Sequence, residues 1–318
     1  MSMFVLKDEI DFSAYMQETA GGRKIRDSGD YIQELIDAIG TPEAKPFGWS
    51  LPWEKCGRSF EYHPGEVTLW AGANGTGKSL ITGQLALDMV CRREPVVIAS
   101  LEMLPKKTLL RMIQQWIGSD PVSYHGMRDA EDLLRDLYRD FKAQAGDVLS
   151  LYDQVGSISS DEALAVVRYS ADKLKARHFV LDSLMKCVKG FDDYNAQKEF
   201  VNSLCQVAKD TGMSIHLVAH TKKLADEGKR PNKYDVSGAA AVTDLVDNVM
   251  LFWRNKPKEA ERRAGGFKLQ QEPDAVLMCC KQRENGDEPE FALWYDHDSQ
   301  SYVESPGAKP IDFASRCV

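Results

Sequence analysis

Short apolar runs bounded by glycine, proline or charge recur along this chain, and longer stretches with helical spacing alternate with them. Val67–Ala71, Pro95–Ser100, Val148–Tyr152, His178–Asp182 and Ser214–Ala219 read as buried strands, being short and largely apolar. Between them, Leu80–Val90, Pro105–Gly118, Asp129–Ala145, Asp161–Ala176 and Ala196–Thr211 read as helices. Leu133, Leu134, Leu137 and Phe141 recur at helical spacing on one face. Asp161 and Glu162 suit a first helical turn. Asn248–Trp253, Asp274–Cys280 and Glu290–Tyr295 predict further strands, the last two paired as an antiparallel edge hairpin. The charged stretch Asn255–Glu272 between them is expected to be exposed. Strands alternating with helices predict an α/β fold: a mostly parallel twisted sheet flanked by helices, with right-handed crossovers.

Residues 1–46 read as an extension separate from that core. Phe12–Glu18 predicts a short helix ended by Gly21-Gly22, and Gly22–Asp30 a polar linker. Asp30–Ile39 carries Ile32, Leu35, Ile36 and Ile39 on one helical stripe. Ser28 or Asp30 can cap it, and Gly40-Thr41-Pro42 stops it. Such a stripe needs a partner, either its own domain or a neighbouring subunit.

Between the first strand and the first long helix stand Gly72-Ala73-Asn74-Gly75-Thr76-Gly77-Lys78-Ser79, which fit the phosphate-loop pattern of Gly, four residues and Gly-Lys-Ser. The glycines let the backbone wrap closely, so that successive N–H groups point inward, and the helix that opens at Leu80 adds its positive end. In this pattern Lys78 reaches the β- and γ-phosphates and Ser79 holds Mg²⁺. Pro46–His63, with Trp49, Trp53 and Phe60, reads as an irregular lead-in over the nucleotide edge of the sheet. His178-Phe179-Val180-Leu181-Asp182 runs apolar residues into an Asp at a strand's C-terminal end, where open α/β sheets bind ligands. That is the Walker B pattern, and it makes Asp182 a second metal ligand.

The bulk numbers are compatible with this reading. At 318 residues and 43% hydrophobic content the chain can bury a large α/β core. A net charge of −8 excludes a uniformly basic coat while leaving room for a local basic channel. The seven cysteines include no CxxC pair, so neither zinc nor a disulfide framework is expected, and a reducing, cytoplasm-like compartment fits. No apolar run approaches the roughly 20 residues of a membrane span.

Several motifs then fall in order. Ser100-Leu101-Glu102-Met103 followed by Leu109-Leu110-Arg111-Met112, and Lys281-Gln282-Arg283 before Asn285-Gly286, resemble the DnaB-type replicative helicases. Ala219-His220-Thr221-Lys222-Lys223 and Asp235-Val236-Ser237-Gly238-Ala239 resemble the phage and Twinkle-like branch, which carries His where bacterial DnaB proteins carry Gln. The resemblance spans residues 47–304 and leaves 305–318 as a tail. It implies a RecA-like P-loop ATPase core that assembles as a ring, usually a hexamer. ATP (or another NTP) with Mg²⁺ would sit between subunits and single-stranded DNA in the central channel. With only residues 1–46 ahead of the core, a primase, polymerase or loader is expected on separate chains. The compact layout resembles a phage or plasmid replication protein in a host cytoplasm.

By resemblance, Glu102 is the base or water-orienting residue and His220 the γ-phosphate sensor. Lys281 and Arg283, two apart on a predicted strand and so on one face, meet a neighbour's γ-phosphate in trans. Gly72–Ser79 and Leu80 surround the phosphates, Arg254 lies near the nucleotide, and Tyr295 stacks on the base. DNA contacts are expected from Lys186 and Lys189 on one loop, and from Lys222, Lys223, Lys229, Arg230, Lys233 and Gly238 on another. Relatives often have a basic residue where this chain has Ser237. A non-helicase RecA-like DNA-binding ATPase, such as a recombinase or replication accessory factor, is the alternative. So is a nucleotide-gated assembly protein of the clock-protein type. The Ser-Leu-Glu-Met string and the Lys-x-Arg motif favour the helicase, and the basic loop argues against the last.

Overall fold

The computed structural model describes residues 5–6, 12–16, 32, 36, 48–57, 59–124, 129–188, 193–222, 228–237 and 239–317. The strands in chain order are β1 (Val5–Leu6), β2 (Trp49–Ser50), β3 (Glu61–Tyr62), β4 (Val67–Gly72), β5 (Val96–Ser100) and β6 (Leu149–Tyr152). There follow β7 (His178–Asp182), β8 (Ser214–His220), β9 (Asn248–Arg254), β10 (Ala275–Gln282), β11 (Glu290–Asp296) and β12 (Ser301–Val303). Ten of them form one sheet in the order β1-β6-β5-β7-β8-β4-β9-β10-β11-β12. Pairing is parallel from β1 through β9 and antiparallel from β9 to β12. Every residue of β4, β5 and β7 is buried, as expected for a parallel sheet covered on both faces.

Helices Ser160–Asp172, Tyr194–Thr211 and Ala239–Leu245 cover one face; Lys78–Cys91, Pro105–Ile117 and Ala130–Ala145 cover the other. Their ends follow local chemistry. Ser159 and Asp193 cap two N-termini by accepting from the amides of Glu162 and Ala196, each cap contributing about 1 kcal/mol. Gly118 and Gly212 end two helices at positive φ, 75° and 68°.

The structure corrects four expectations. The extension is not wholly apart: Val5–Leu6 lengthen the sheet beside β6, and Phe12 meets the rings of Tyr152 and Tyr169 edge-on. A two-residue strand owes its existence to the neighbour it pairs with, which no local pattern reveals. Of the predicted Asp30–Ile39 helix, Ile32 and Ile36 are described, helical and more than half exposed, at 56% and 55%; the rest lies outside the described residues. The lead-in does not lie over the nucleotide edge, because Trp49 and Tyr62 pack on His178 and His216 toward the entry ends of β7 and β8. The charged stretch after β9 holds a helix, Lys256–Arg263, with Lys258 and Glu259 buried. Asn255 caps it, and Lys258 pairs with Asp274 at 3.0 Å. Finally, Cys91 and Cys317 form a disulfide, their Cα atoms 4.1 Å apart across 226 residues. The terminal helix Phe313–Arg316 brings them together by docking beside the Lys78–Cys91 helix, where Arg316 and Arg92 both pair with buried Asp88. Among the described residues no helix is long and apolar enough to cross a membrane.

Candidate active site

Register decides what meets at the sheet's C-terminal edge. Gly72 pairs opposite His220 and Ser100 opposite Asp182, so β4, β5, β7 and β8 deliver their last residues side by side. The phosphate loop leaves β4 there and enters the Lys78–Cys91 helix. Its turn needs glycine: Gly77 sits at φ 104°, and a Cβ there would lie 2.6 Å from the Tyr302 hydroxyl. At Gly72 a Cβ would lie 2.5 Å from the Phe252 carbonyl.

The amine of Lys78 donates to the carbonyls of Gly72 and Ala73, both at 2.9 Å, and stands 3.3 Å from His220 Nδ1. Burial pulls its pKa down to about 8, against the opposing pull of Asp182 and Glu102. Ser79 Oγ donates to Asp182 Oδ2 at 2.6 Å. Burial raises the Asp182 pKa, while the Ser79 hydrogen bond and the Lys78 charge work against it. Two hard oxygen donors side by side next to this loop fit an oxygen-preferring divalent cation. Glu102 Oε1 accepts from Ser183 Oγ at 2.6 Å and lies 3.1 Å from His220 Nε2. An imidazole protonated at Nε2 donates to Glu102 and leaves Nδ1 to accept from Lys78. The His220 bond, more than any other influence, pulls the Glu102 pKa down to about 2.

These groups face a cavity of about 340 Å³ whose opposite wall includes Arg254, Tyr295 and Gln300. Arg254 Nη1 donates to the Gly75 carbonyl at 3.1 Å, and its Nε pairs with Glu259. Leu80 lines the cavity as well. Three further neighbours escaped the sequence reading. Arg111 lines the cavity from the Pro105–Ile117 helix, Gln300 does so from the turn before β12, and buried Tyr302 donates its hydroxyl to the Thr76 carbonyl at 3.1 Å. Arg111 lies inside the Leu-Leu-Arg-Met string, so that motif held a signal. Gln300 and Tyr302 carried none, because the place of β12 and of the turn before it depends on pairing with β11.

Lys281 and Arg283 stand elsewhere. Because β10 runs antiparallel to β9, Ala275 lies opposite Arg254 and Gln282 opposite Asn248. The end of β10 therefore points away from the phosphate loop. The strand stops at Gln282 after a bulge between Cys279 and Lys281, so strand alternation does not align the two side chains as expected. They nonetheless reach one segment. Lys281 Nζ donates to the carbonyls of Thr243, Asp244 and Val246, and Arg283 pairs with Asp247 at 3.0 Å.

Of the predicted DNA residues, Lys186 closes the short turn after β7, and Lys222, Lys229, Arg230 and Lys233 are exposed after β8. Lys189, Lys223 and Gly238 lie outside the described residues. Both segments leave the same sheet edge as the phosphate loop.

Known proteins share this architecture. A family model described as an AAA domain matches residues 62–226, more than half the chain. The Twinkle homolog protein, chloroplastic/mitochondrial, of Arabidopsis thaliana is 22% identical over 298 residues, an overlap covering 87% of this chain. The chain spans 39% of that relative's length. Among solved structures, a DnaB-like replicative helicase studied with its primase interactions superposes with a TM-score of 0.64 at 15% identity, covering 88% of this chain and 67% of that one. The ATPase domain of G40P superposes with a TM-score of 0.70 at 14% identity, covering 89% of this chain and 100% of that domain.

Proposed function

Since this chain belongs to the AAA domain family and carries the RecA-like fold of DnaB-type replicative helicases, we propose that it is an ATP-driven ring translocase that unwinds duplex DNA. Lys78 leaves the Gly72 and Ala73 carbonyls for the β- and γ-phosphates. Ser79 and Asp182 would hold Mg²⁺, which when bound supplies charge neutralisation at the phosphates. A Glu102 carboxylate held near a pKa of 2 orients a water but is a weak base at neutral pH. When His220 turns from Glu102 to a γ-phosphate, the bond that most depresses Glu102 is lost, and the carboxylate becomes a better proton acceptor. Hydrolysis thus waits for a sensed phosphate. Arg254 and Tyr295 flank the base.

One observation carries the oligomeric part. Lys281 and Arg283 sit at the far end of the sheet from their own phosphate loop, where they can meet a second copy's nucleotide but not their own. The exposed Ile32 and Ile36, with Leu110 and Leu133 exposed at 50% and 41% on two helices, support apolar docking between neighbours. A ring of about six subunits would turn the lysines after β7 and β8 toward a central single strand, where phosphate contacts are sequence-independent and salt-sensitive. A primase or loader on another chain would complete the machinery.

Strand displacement on a forked duplex with ATP tests the proposal. Displacement that requires ATP and a single-stranded tail supports it. DNA-stimulated hydrolysis with no displacement from any fork would assign the chain to the non-helicase ATPases instead.

A further inference from the structure

A second cavity, of about 290 Å³, lies on the other side of the phosphate loop. Ala73, Asn74 and Thr76 line it, whereas Gly75, Gly77 and Lys78 line the phosphate cavity. One loop is therefore the wall between two sites. Much of the remaining lining is basic or aromatic: Lys222 and Lys229 from the segment after β8, and Phe252, Trp253, Arg254 and Lys256 at the end of β9. Arg230 lies over the Trp253 ring at 5.3 Å, held there by Glu290 at 3.0 Å. The Trp253 indole N–H has no acceptor among the described residues. Among the described residues the nearby acids are shared: Glu290 pairs with Arg230, and Glu259 pairs with Arg254 and, at 3.8 Å, with Lys256. A chain with a net charge of −8 has thus gathered Lys222, Lys229 and Lys256 beside an indole that carries a guanidinium.

We infer that this cavity seats one nucleotide unit of the single strand, a deepening of the DNA reading above on which it rests. Lys222, Lys229 and Lys256 take the phosphate, and the base stacks against the Trp253 indole that lines the cavity, with the Arg230 guanidinium held on that ring. Lysines alone would suit any polyanion, but the stacked plane suits a base. Because Ala73 and Asn74 form one wall, a seated nucleotide presses on the loop that holds the ATP phosphates. The inference thus supplies a direct route from DNA occupancy to hydrolysis.

The test uses the full chain with a non-hydrolysable ATP analogue and two fluorescein-labelled strands of about twenty nucleotides. One strand is oligo(dT), the other an abasic strand of equal length. Oligo(dT) is expected to bind about tenfold tighter, within the range of one base–aromatic stack. Trp253→Ala should erase that preference. Because Trp253 is partly packed, Lys256→Ala provides a surface variant, which should weaken both strands and flatten the salt dependence by about one phosphate contact. Equal affinity of the wild type for both strands, or a preference that survives Trp253→Ala, would overturn the cavity assignment while leaving DNA binding intact. A fluorescent mononucleotide that fills a second site per chain, lost in Trp253→Ala with oligo(dT) affinity unchanged, would reassign the cavity to free nucleotide and overturn it too. Failure of the wild type to bind either strand would instead sink the DNA reading itself.

Discussion

Two buried histidines make the fold sensitive to acid in a range where few other groups titrate. His178 and His216 are 0% and 1% exposed, and their rings stack 6.0 Å apart at an interplanar angle of 15°. Trp49 and Tyr62 close over them, and Trp70 donates to His216 Nδ1 at 3.3 Å. Burial drives His216 down to about 3, and His178 well below its ordinary value, with His216 and the nearby Arg177 and Arg92 adding to the effect. Both folded values lie below the unfolded value near 6.5, so the native state binds fewer protons than the unfolded one. Stability is therefore complete above about pH 6.5 and is lost as pH falls below it. At roughly 1.4 kcal/mol per pH unit, lowering the pH to about 5 costs about 2 kcal/mol per histidine and about 4 kcal/mol for the pair. That is a large part of a typical domain's stability of about 5–15 kcal/mol. His63 works in the opposite sense. Its hydrogen bond to Glu66 raises its value, so its contribution is complete at low pH and fades as pH rises. Urea unfolding at about pH 7.5 and about pH 5, in the wild type and in His216→Gln, separates the terms. The pH-dependent loss in the variant should be smaller by about 2 kcal/mol whatever its stability at neutral pH, because His63 contributes equally to both proteins and cancels in the difference. An identical pH dependence in the two, or none in the wild type, would refute the reasoning.

Three further outcomes are expected. Glu102→Gln keeps the hydrogen bonds to Ser183 and His220 but removes the carboxylate charge; single-turnover phosphate release should slow by about 10²–10⁴, about 3–5 kcal/mol of barrier, with nucleotide binding retained. A loss below about tenfold would remove Glu102 from the chemistry. Gly77→Ala forces a side chain into a positive-φ turn and against the Tyr302 hydroxyl, so a fluorescent nucleotide should no longer bind; wild-type affinity would contradict the tight-turn account. Lys78, drawn down to about 8 by burial, should regain its proton when phosphates arrive, so calorimetry at about pH 8.5 in buffers of different ionisation enthalpy should show proton uptake on binding, absent in Lys78→Ala.

The sequence carried most of this architecture where one short segment contains its own reason. Gly72–Ser79 holds the whole phosphate-loop pattern in eight consecutive residues, and the buried strands announce themselves because a doubly covered parallel sheet needs continuous apolar runs. What stayed hidden depends on distant partners. β1 exists because β6 offers it an edge, and Tyr302 reaches the phosphate loop because Trp53 and Gln84 fix its backbone. The Lys256–Arg263 helix reads as solvated charge, yet Glu259 is buried by its bond to Arg254. Cys91 and Cys317 give no sign of pairing at a separation of 226 residues. The two histidines look like ordinary strand residues until the lead-in aromatics cover them.

The central claim is that each hydrolytic site is shared between two copies, the phosphate loop from one and Arg283 from the next. Lys78→Ala and Arg283→Ala should each hydrolyse ATP at background rates. Removing Arg283 leaves Asp247 still bound by the Val67 amide at 2.9 Å, so the fold should survive. Mixing the two inactive chains in equal amounts and re-forming the assembly is the direct measurement. About one interface in four should then join an intact loop to an intact arginine, and DNA-stimulated hydrolysis should reappear in proportion. No recovery at any mixing ratio, or wild-type hydrolysis by Arg283→Ala alone, would contradict the account.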